Sequence, residues 1–293
     1  MLISHPVRFT RLRETRLGEE RYVRPARSYD IPSREKQMIY RASSEKYLRP
    51  TLYCNPAEPE VVALANELGA YEKPDWEFAQ AAFEFTKNHM TLEICPFDGV
   101  GLTLRRGTGT CFHLISVFIA LCRAAGIRAR YKMFAMNMVQ SWREVLVDVD
   151  PLLKQWYDSM GYFMIEGEGE AYVNGTWTVA HVGARAERQA AAGLPITQFG
   201  EDSIGVWFEA VPGTLIRSES IPLGLGSASK TLQWLAPGSM ERINVSIQKQ
   251  VALGARIIDE AGGREAYDKA IRAKWLSKPT VELNNEKAIV FEG

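Results

Sequence analysis

Cys111 occupies the position in this sequence that is best suited to covalent chemistry. It opens the segment CFHLISVFIALCRAAG, in which apolar residues recur at i, i+3, i+4 and i+7, as in a buried amphipathic helix. Thr110 is a suitable N-cap, so the thiol is predicted to lie in the first turn, where free N–H groups and the helix dipole favour thiolate. Cys111 is therefore a candidate nucleophile, and a small buried hydrophobic residue is the equally weighted alternative.

A proton carrier for this thiol has to come from four histidines. His113 lies two residues after Cys111 on one helix and points to a different side, so it is predicted to line a pocket rather than to act as the base. His5 lies in an arginine-rich segment, and His89 ends a predicted helix, where a capping role is the simpler interpretation. These assignments leave His181 as the candidate base.

His181 falls on a predicted β-hairpin that turns at Asn174-Gly175, a dipeptide typical of two-residue turns. With that turn, Glu168 lies opposite His181, and Glu166 is the diagonal neighbour of His181. A third glutamate follows on the same face, and repulsion among the three carboxylates is expected to raise at least one pKa. A solvent-facing acidic edge with an incidental histidine is the alternative, and the pattern alone slightly favours it.

Three other side chains are candidates for substrate binding. Arg105 and Arg106 lie in a glycine-punctuated loop over residues 97–111, and they predict binding of a carboxylate or phosphate group. A solvated loop face is an equally good interpretation of these arginines. Trp177 faces Tyr172 across the hairpin, where a packing pair is favoured over substrate contact.

The composition excludes several classes of protein. Thirty-five Lys and Arg balance 35 Asp and Glu in 293 residues, whereas nucleic-acid-binding proteins usually carry a basic excess. No apolar run reaches the roughly 20 residues that span a bilayer, and residues 1–13 contain no apolar signal segment. The four cysteines show no C-x-x-C spacing of the kind that would suggest a zinc site. We expect a cytoplasmic protein with reduced thiols, no metal and no cofactor, which binds neither nucleic acid nor membrane.

The segment GTGTCFHLISVFIALCRAAGIRARY resembles the nucleophile segment of the bacterial transglutaminase-like superfamily, and GEAYVNGTW resembles the strand pair of that family. The resemblance spans about residues 48–181. It implies an α+β, papain-like core in which the cysteine of a central helix, here Cys111, meets a histidine and an aspartate on adjacent strands. It also places Glu166 at the family's histidine position and His181 at the aspartate position.

The expected fold class is α+β, with the central nucleophile helix packed on an antiparallel sheet and a helical C-terminal extension. The expected units are an arm over residues 1–47, a transglutaminase-like core over 48–182 and a mixed extension over 183–293. A homo-oligomer is left open. The patterns predict helices over 57–70, 76–90, 139–160, 239–262 and 264–277, and a strand over 127–136.

Three functions are compatible with these residues. In the preferred one, a hydrolase or acyltransferase cleaves an amide, ester or thioester of an anionic small molecule through a Cys111 thioester, while His181 carries protons and Glu166 or Glu168 orients it. In the second, Cys111 and Glu166 act as acid and base in an isomerase, cyclase or lyase. In the third, the chain is a degenerate scaffold that binds a partner.

Overall fold

Helices and strands alternate in an α+β arrangement in the computed structural model, which describes residues 20–33, 38–138, 143–144, 147–160, 163–203, 208–276 and 291–292. In chain order the elements are α1 (Pro59–Glu67), α2 (Asp75–His89), β1 (Thr91–Leu92), α3 (Val100–Arg106), β2 (Thr108–Gly109), α4 (Cys111–Ala124), β3 (Ala129–Met138), α5 (Pro151–Met160), β4 (Phe163–Val173), β5 (Thr176–Ala180), α6 (Ala186–Ala191), β6 (Phe208–Ala210), β7 (Ile216–Ser218), α7 (Leu225–Leu235), α8 (Pro237–Glu260), α9 (Arg264–Leu276) and β8 (Phe291–Glu292).

The main sheet has the order β5-β4-β3-β7-β8, and β6 also pairs with β3. The pairs β3–β4, β4–β5, β3–β6 and β3–β7 are antiparallel, and β7–β8 is parallel. Tyr172 pairs with Trp177 across the β4–β5 turn, so the predicted two-residue hairpin is confirmed. The β3–β4 register shifts just beyond the Phe134–Glu166 pair, and such irregularities are common beside functional sites.

The helix α4 is the central helix of the core, as the sequence predicts. All of its residues after Cys111 are buried. It approaches β4 closely because Gly167 and Gly169 have no side chain, and a Cβ atom on Gly169 would lie 2.5 Å from the ring of Phe118. The sheet and α4 are therefore in direct contact along the strand that carries the three glutamates.

The segment before α4 differs from the predicted glycine-punctuated loop, because its middle forms the helix α3. Val100 and Leu104 bury their side chains, and the N–H of Gly101 donates to Glu58 at 2.7 Å. Gly107 ends the helix in the left-handed conformation at φ 78°. Burial against the core outweighs the glycines as a determinant of local structure here.

The C-terminal helices α8 and α9 confirm the two predicted terminal helices, and α8 packs against α6 and α9. The helix predicted over 139–160 is confirmed only in part: residues 143–144 are helical and α5 forms its end, but residues 147–150 form a turn, so the prediction of one helix is wrong there. Residues 139–142 and 145–146 lie outside the described residues. Within the described part of the chain, no helix has the length and apolar character needed to cross a membrane. The three predicted units and their boundaries stay a prediction.

Candidate active site

His113 fixes the start of α4. The backbone N–H of Thr110 donates to its Nδ1 at 3.0 Å, and its protonated Nε2 donates to the carboxylate of Asp98, with 3.3 Å between Nε2 and Oδ1. Phe97 stacks on the imidazole with 4.8 Å between ring centroids. His113 is buried and anchors the first turn that presents Cys111, and its predicted pocket-lining role stays a prediction.

The thiol of Cys111 meets the carboxyl of Glu166 beside Gly183. A Cβ atom on Gly183 would lie 3.3 Å from the Cβ of Cys111 and 3.5 Å from Oε1 of Glu166. The two side chains also share a hydrogen bond. Cys111 is partly exposed. The other three cysteines, Cys54, Cys95 and Cys122, are buried, as expected for residues of the hydrophobic core.

The protonation state of Cys111 differs from the thiolate expected at the start of a helix. Burial, followed by the negative charge of Glu166, raises the pKa of Cys111 well above its ordinary value. The N–H of Phe112 and the charge of Arg188 act in the opposite direction but are outweighed. Burial also raises the pKa of Glu166 to about 7. At neutral pH the thiol is therefore protonated, and the carboxyl is close to its midpoint.

The two other glutamates of β4 are bound by cations that sequence analysis missed. Glu168 receives a hydrogen bond from Lys132 at 2.8 Å, and Glu170 receives one from Arg130 at 2.6 Å. Both cations lie directly opposite these glutamates on β3, so strand alternation was the signal that could have identified them. The glutamates are buried rather than solvent-facing. The pKa of Glu168 is raised, as predicted for at least one carboxylate, but the main cause is burial and not the predicted repulsion among the three glutamates.

His181 is buried, and its ring contacts Thr197. Its Nδ1 lies 3.3 Å from Oγ1 of Thr197, and Nζ of Lys87 donates to Thr197 at 2.7 Å and to the carbonyl of His181 at 3.4 Å. Burial, followed by the charges of Lys87, Arg188 and Lys132, lowers the pKa of His181 well below its ordinary value. Its imidazole is neutral at pH 7, and its role as proton carrier stays a prediction.

Lys87 is expected to make stability depend on pH, because burial lowers its pKa from 10.5 to about 7. The unfolded chain keeps this proton up to about pH 10.5, so it binds more protons than the folded protein between these values. Stability should therefore rise with pH across this window, by roughly 1.4 kcal/mol per unit of pH at most. Urea unfolding of the wild type and of Lys87→Met at neutral and alkaline pH gives the free energy of unfolding at each pH. The difference between the two proteins in its change with pH is the contribution of Lys87.

The exposed Lys269 provides the control for this measurement. Lys269→Met should keep the pH slope of the wild type, whereas Lys87→Met should lose the rise. Equal slopes in all three proteins would show that Lys87 is not responsible for the dependence.

The remaining predicted binding residues lie in structural contacts. Arg105 pairs with Glu60, and Arg106 pairs with Asp98 and donates from Nε to the carbonyl of Thr108 at 2.9 Å. These arginines are on α3 rather than in a loop. Their predicted role in substrate binding stays a prediction.

Trp177 lies at the other end of the hairpin from Glu166. The centroid of its ring is 3.9 Å from the guanidinium carbon of Arg130 and 5.3 Å from the Tyr172 ring centroid. Tyr172 is six positions along β4 from Glu166, a span of about 20 Å. The favoured packing interpretation agrees with these contacts.

Arg188 is the charged neighbour of the pair that sequence analysis missed. It lies on α6, is 1% exposed, and donates from Nε to Oε1 of Gln250 on α8 at 2.9 Å. Its positive charge favours the ionised forms of both Glu166 and Cys111. No motif surrounds it, so the sequence contains no signal that would identify it. Among the described residues, no group of three or more His, Cys, Asp and Glu is arranged to hold a metal ion.

A family model of the transglutaminase-like superfamily matches residues 62–159. The matched segment, about a third of the chain, is therefore similar to a domain of this superfamily, whose members are in general cysteine-type enzymes. Cys111 and α4 lie within the matched residues, whereas Glu166, His181 and Arg188 lie beyond them. Comparisons with curated proteins and with solved structures found no match.

Proposed function

We propose that this protein is a cysteine hydrolase or acyltransferase that acts on an amide, ester or thioester of a small molecule through Cys111. The observation that carries the proposal is the contact between the thiol of Cys111 and the carboxyl of Glu166 at the start of α4. The superfamily domain supports a cysteine-type enzyme. Glu166 replaces His181 as the proposed proton acceptor, because it lies against the thiol.

The reaction requires Glu166 in its ionised form. Its carboxylate accepts the thiol proton as the sulfur forms a bond to the substrate carbonyl carbon, and the carbonyl π pair moves to oxygen. The free N–H of Cys111 in the first helical turn stabilises that oxyanion. As the oxyanion collapses, the bond to the leaving group breaks, and Glu166 returns the proton to that group. Water or an acyl acceptor then attacks the thioester, losing its proton to Glu166, and the sulfur leaves and regains a proton.

The raised pKa of Glu166 suits this role. A carboxyl with a pKa of about 7 is a far stronger base than an ordinary glutamate, and general bases work best near the operating pH. The substrate is proposed to be a small molecule with an anionic group. That assignment carries forward the prediction made from Arg105 and Arg106 in the sequence.

Trapping the acyl-enzyme tests the proposal. Incubation with a series of activated small-molecule esters should add the mass of one acyl group to the intact protein, and peptide mapping should locate it on Cys111. Cys111→Ala should show neither the adduct nor turnover. Cys95→Ala is the matched control, because that thiol is buried, and it should keep both. Turnover that persists in Cys111→Ala would refute the proposal.

A second function is favoured by the contact between the thiol of Cys111 and the carboxyl of Glu166, in which burial raises the pKa of both groups. A neutral thiol beside a carboxylate is a ready proton donor and acceptor, as an isomerase, cyclase or lyase without an acyl-enzyme requires. This mechanism predicts solvent deuterium in the product and no mass adduct on the protein. The acyl-enzyme mechanism predicts the adduct and no deuterium at carbon.

A further inference from the structure

The C-terminal helix α8 holds an arginine beside the Cys111–Glu166 pair. Gln250 of α8 accepts a hydrogen bond from Nε of Arg188 at 2.9 Å, and both side chains are buried. Gly254, one turn further along α8, packs on α6 so closely that a Cβ atom would overlap the backbone carbonyl of Glu187. The two helices therefore fix the position of Arg188 through a side-chain hydrogen bond and a backbone contact.

The charges around the Cys111–Glu166 pair indicate that Arg188 supplies its counter-charge. When Glu166 is ionised and Cys111 is protonated, the pair carries one negative charge in a buried site. Glu168 adds a second negative charge to the environment of Glu166, but Lys132 pairs with Glu168 directly. The helix α6 begins three residues after Gly183, whose backbone lies against both Cys111 and Glu166, and Arg188 on that helix is buried. Its positive charge acts on both members of the pair. Leaving a buried charge without a counter-charge is strongly unfavourable, so Arg188 has a defined electrostatic role.

We propose that Arg188 is the charge-balancing residue of the Cys111–Glu166 site and that Gln250 is the positioning residue that holds it there. The proposal rests on the proposed function in taking this pair as the reactive one. It assigns residues of the C-terminal segment, beyond the 62–159 domain, to the active site. The site is then assembled from the core and from α6 and α8.

The alkylation rate of Cys111 as a function of pH tests this proposal without a known substrate. Iodoacetamide reacts with the thiolate, so the pH midpoint of the rate reports the pKa of the thiol. Arg188→Met should move the midpoint to higher pH by about one unit, which slows alkylation about tenfold at a given pH below the midpoint. Arg188→Lys should recover part of the shift, and Gln250→Leu should move the midpoint in the same direction by less.

Arg185→Met is the matched control, because Arg185 precedes α6 and is bound to Glu187 and Thr91. It should leave the alkylation profile unchanged. A profile in folded Arg188→Met and Gln250→Leu that equals the wild-type profile would overturn the proposal, and so would an equal shift in Arg185→Met.

Two further points distinguish a variant that fails to fold from a failure of the proposal. Thermal unfolding identifies folded variants, and Gln250→Leu with Arg188→Lys decides the question if Arg188→Met does not fold. Alkylation does not require turnover. An unchanged midpoint therefore rejects the role of Arg188 alone, whereas turnover in Cys111→Ala rejects the proposed function alone.

Discussion

Glu166→Gln is expected to lower turnover by about 10²–10⁴-fold, the usual contribution of a general base. Glutamine has the same size and can still hydrogen-bond to Cys111, but it cannot accept the thiol proton. Because the carboxyl accepts protons only when it is ionised, wild-type activity should rise with pH through about 7, the pKa of Glu166. Steady-state rates across this range should show that rise in the wild type and not in Glu166→Gln.

Two variants on the same strand sharpen this experiment. Glu168→Gln removes a carboxylate that pairs with Lys132, so it should lower stability while the rise in activity near pH 7 remains. Glu166→His installs the imidazole that the resemblance to the superfamily leads one to expect at this position, and it should retain more activity than Glu166→Gln. An unchanged rate and pH profile in Glu166→Gln would contradict the role of Glu166 in both proposed mechanisms.

Gly254→Ala is expected to destabilise the protein by about 1–3 kcal/mol, the usual cost of an overpacked contact. In most helices this substitution stabilises, since glycine costs about 1 kcal/mol relative to alanine. Here the added methyl group would overlap the carbonyl of Glu187, so α8 must move away from α6. Urea unfolding measures the loss of stability, and the alkylation profile of Cys111 should shift in the direction expected for Arg188→Met.

An exposed position on the same helix separates packing from helix propensity. Ala255→Gly should cost about 1 kcal/mol through propensity alone and leave the alkylation profile unchanged. A Gly254→Ala protein that is more stable than the wild type would show that the close contact of α6 and α8 is absent in solution.

Local features were predicted well because short-range interactions determine them. The apolar periodicity and the N-cap at Thr110 predicted that a helix starts at Cys111, and Asn174-Gly175 predicted the register of the β4–β5 hairpin. Both features depend on residues a few positions apart. The segment of α3 was predicted as a loop, since its glycines suggested a turn while burial of Val100 and Leu104 favoured a helix.

The sequence by itself determined the position of Cys111 at a helix start, the three carboxylates on one strand and the similarity of residues 62–159 to the transglutaminase-like superfamily. Only the tertiary structure decided that the carboxyl of Glu166 lies against the thiol, and that buried Arg188 of α6 is held by Gln250 of α8. It also decided that the pKa of Cys111 is raised, although its helix position favours thiolate. The reason is that burial and charge depend on residues far apart in the chain, which local patterns do not encode.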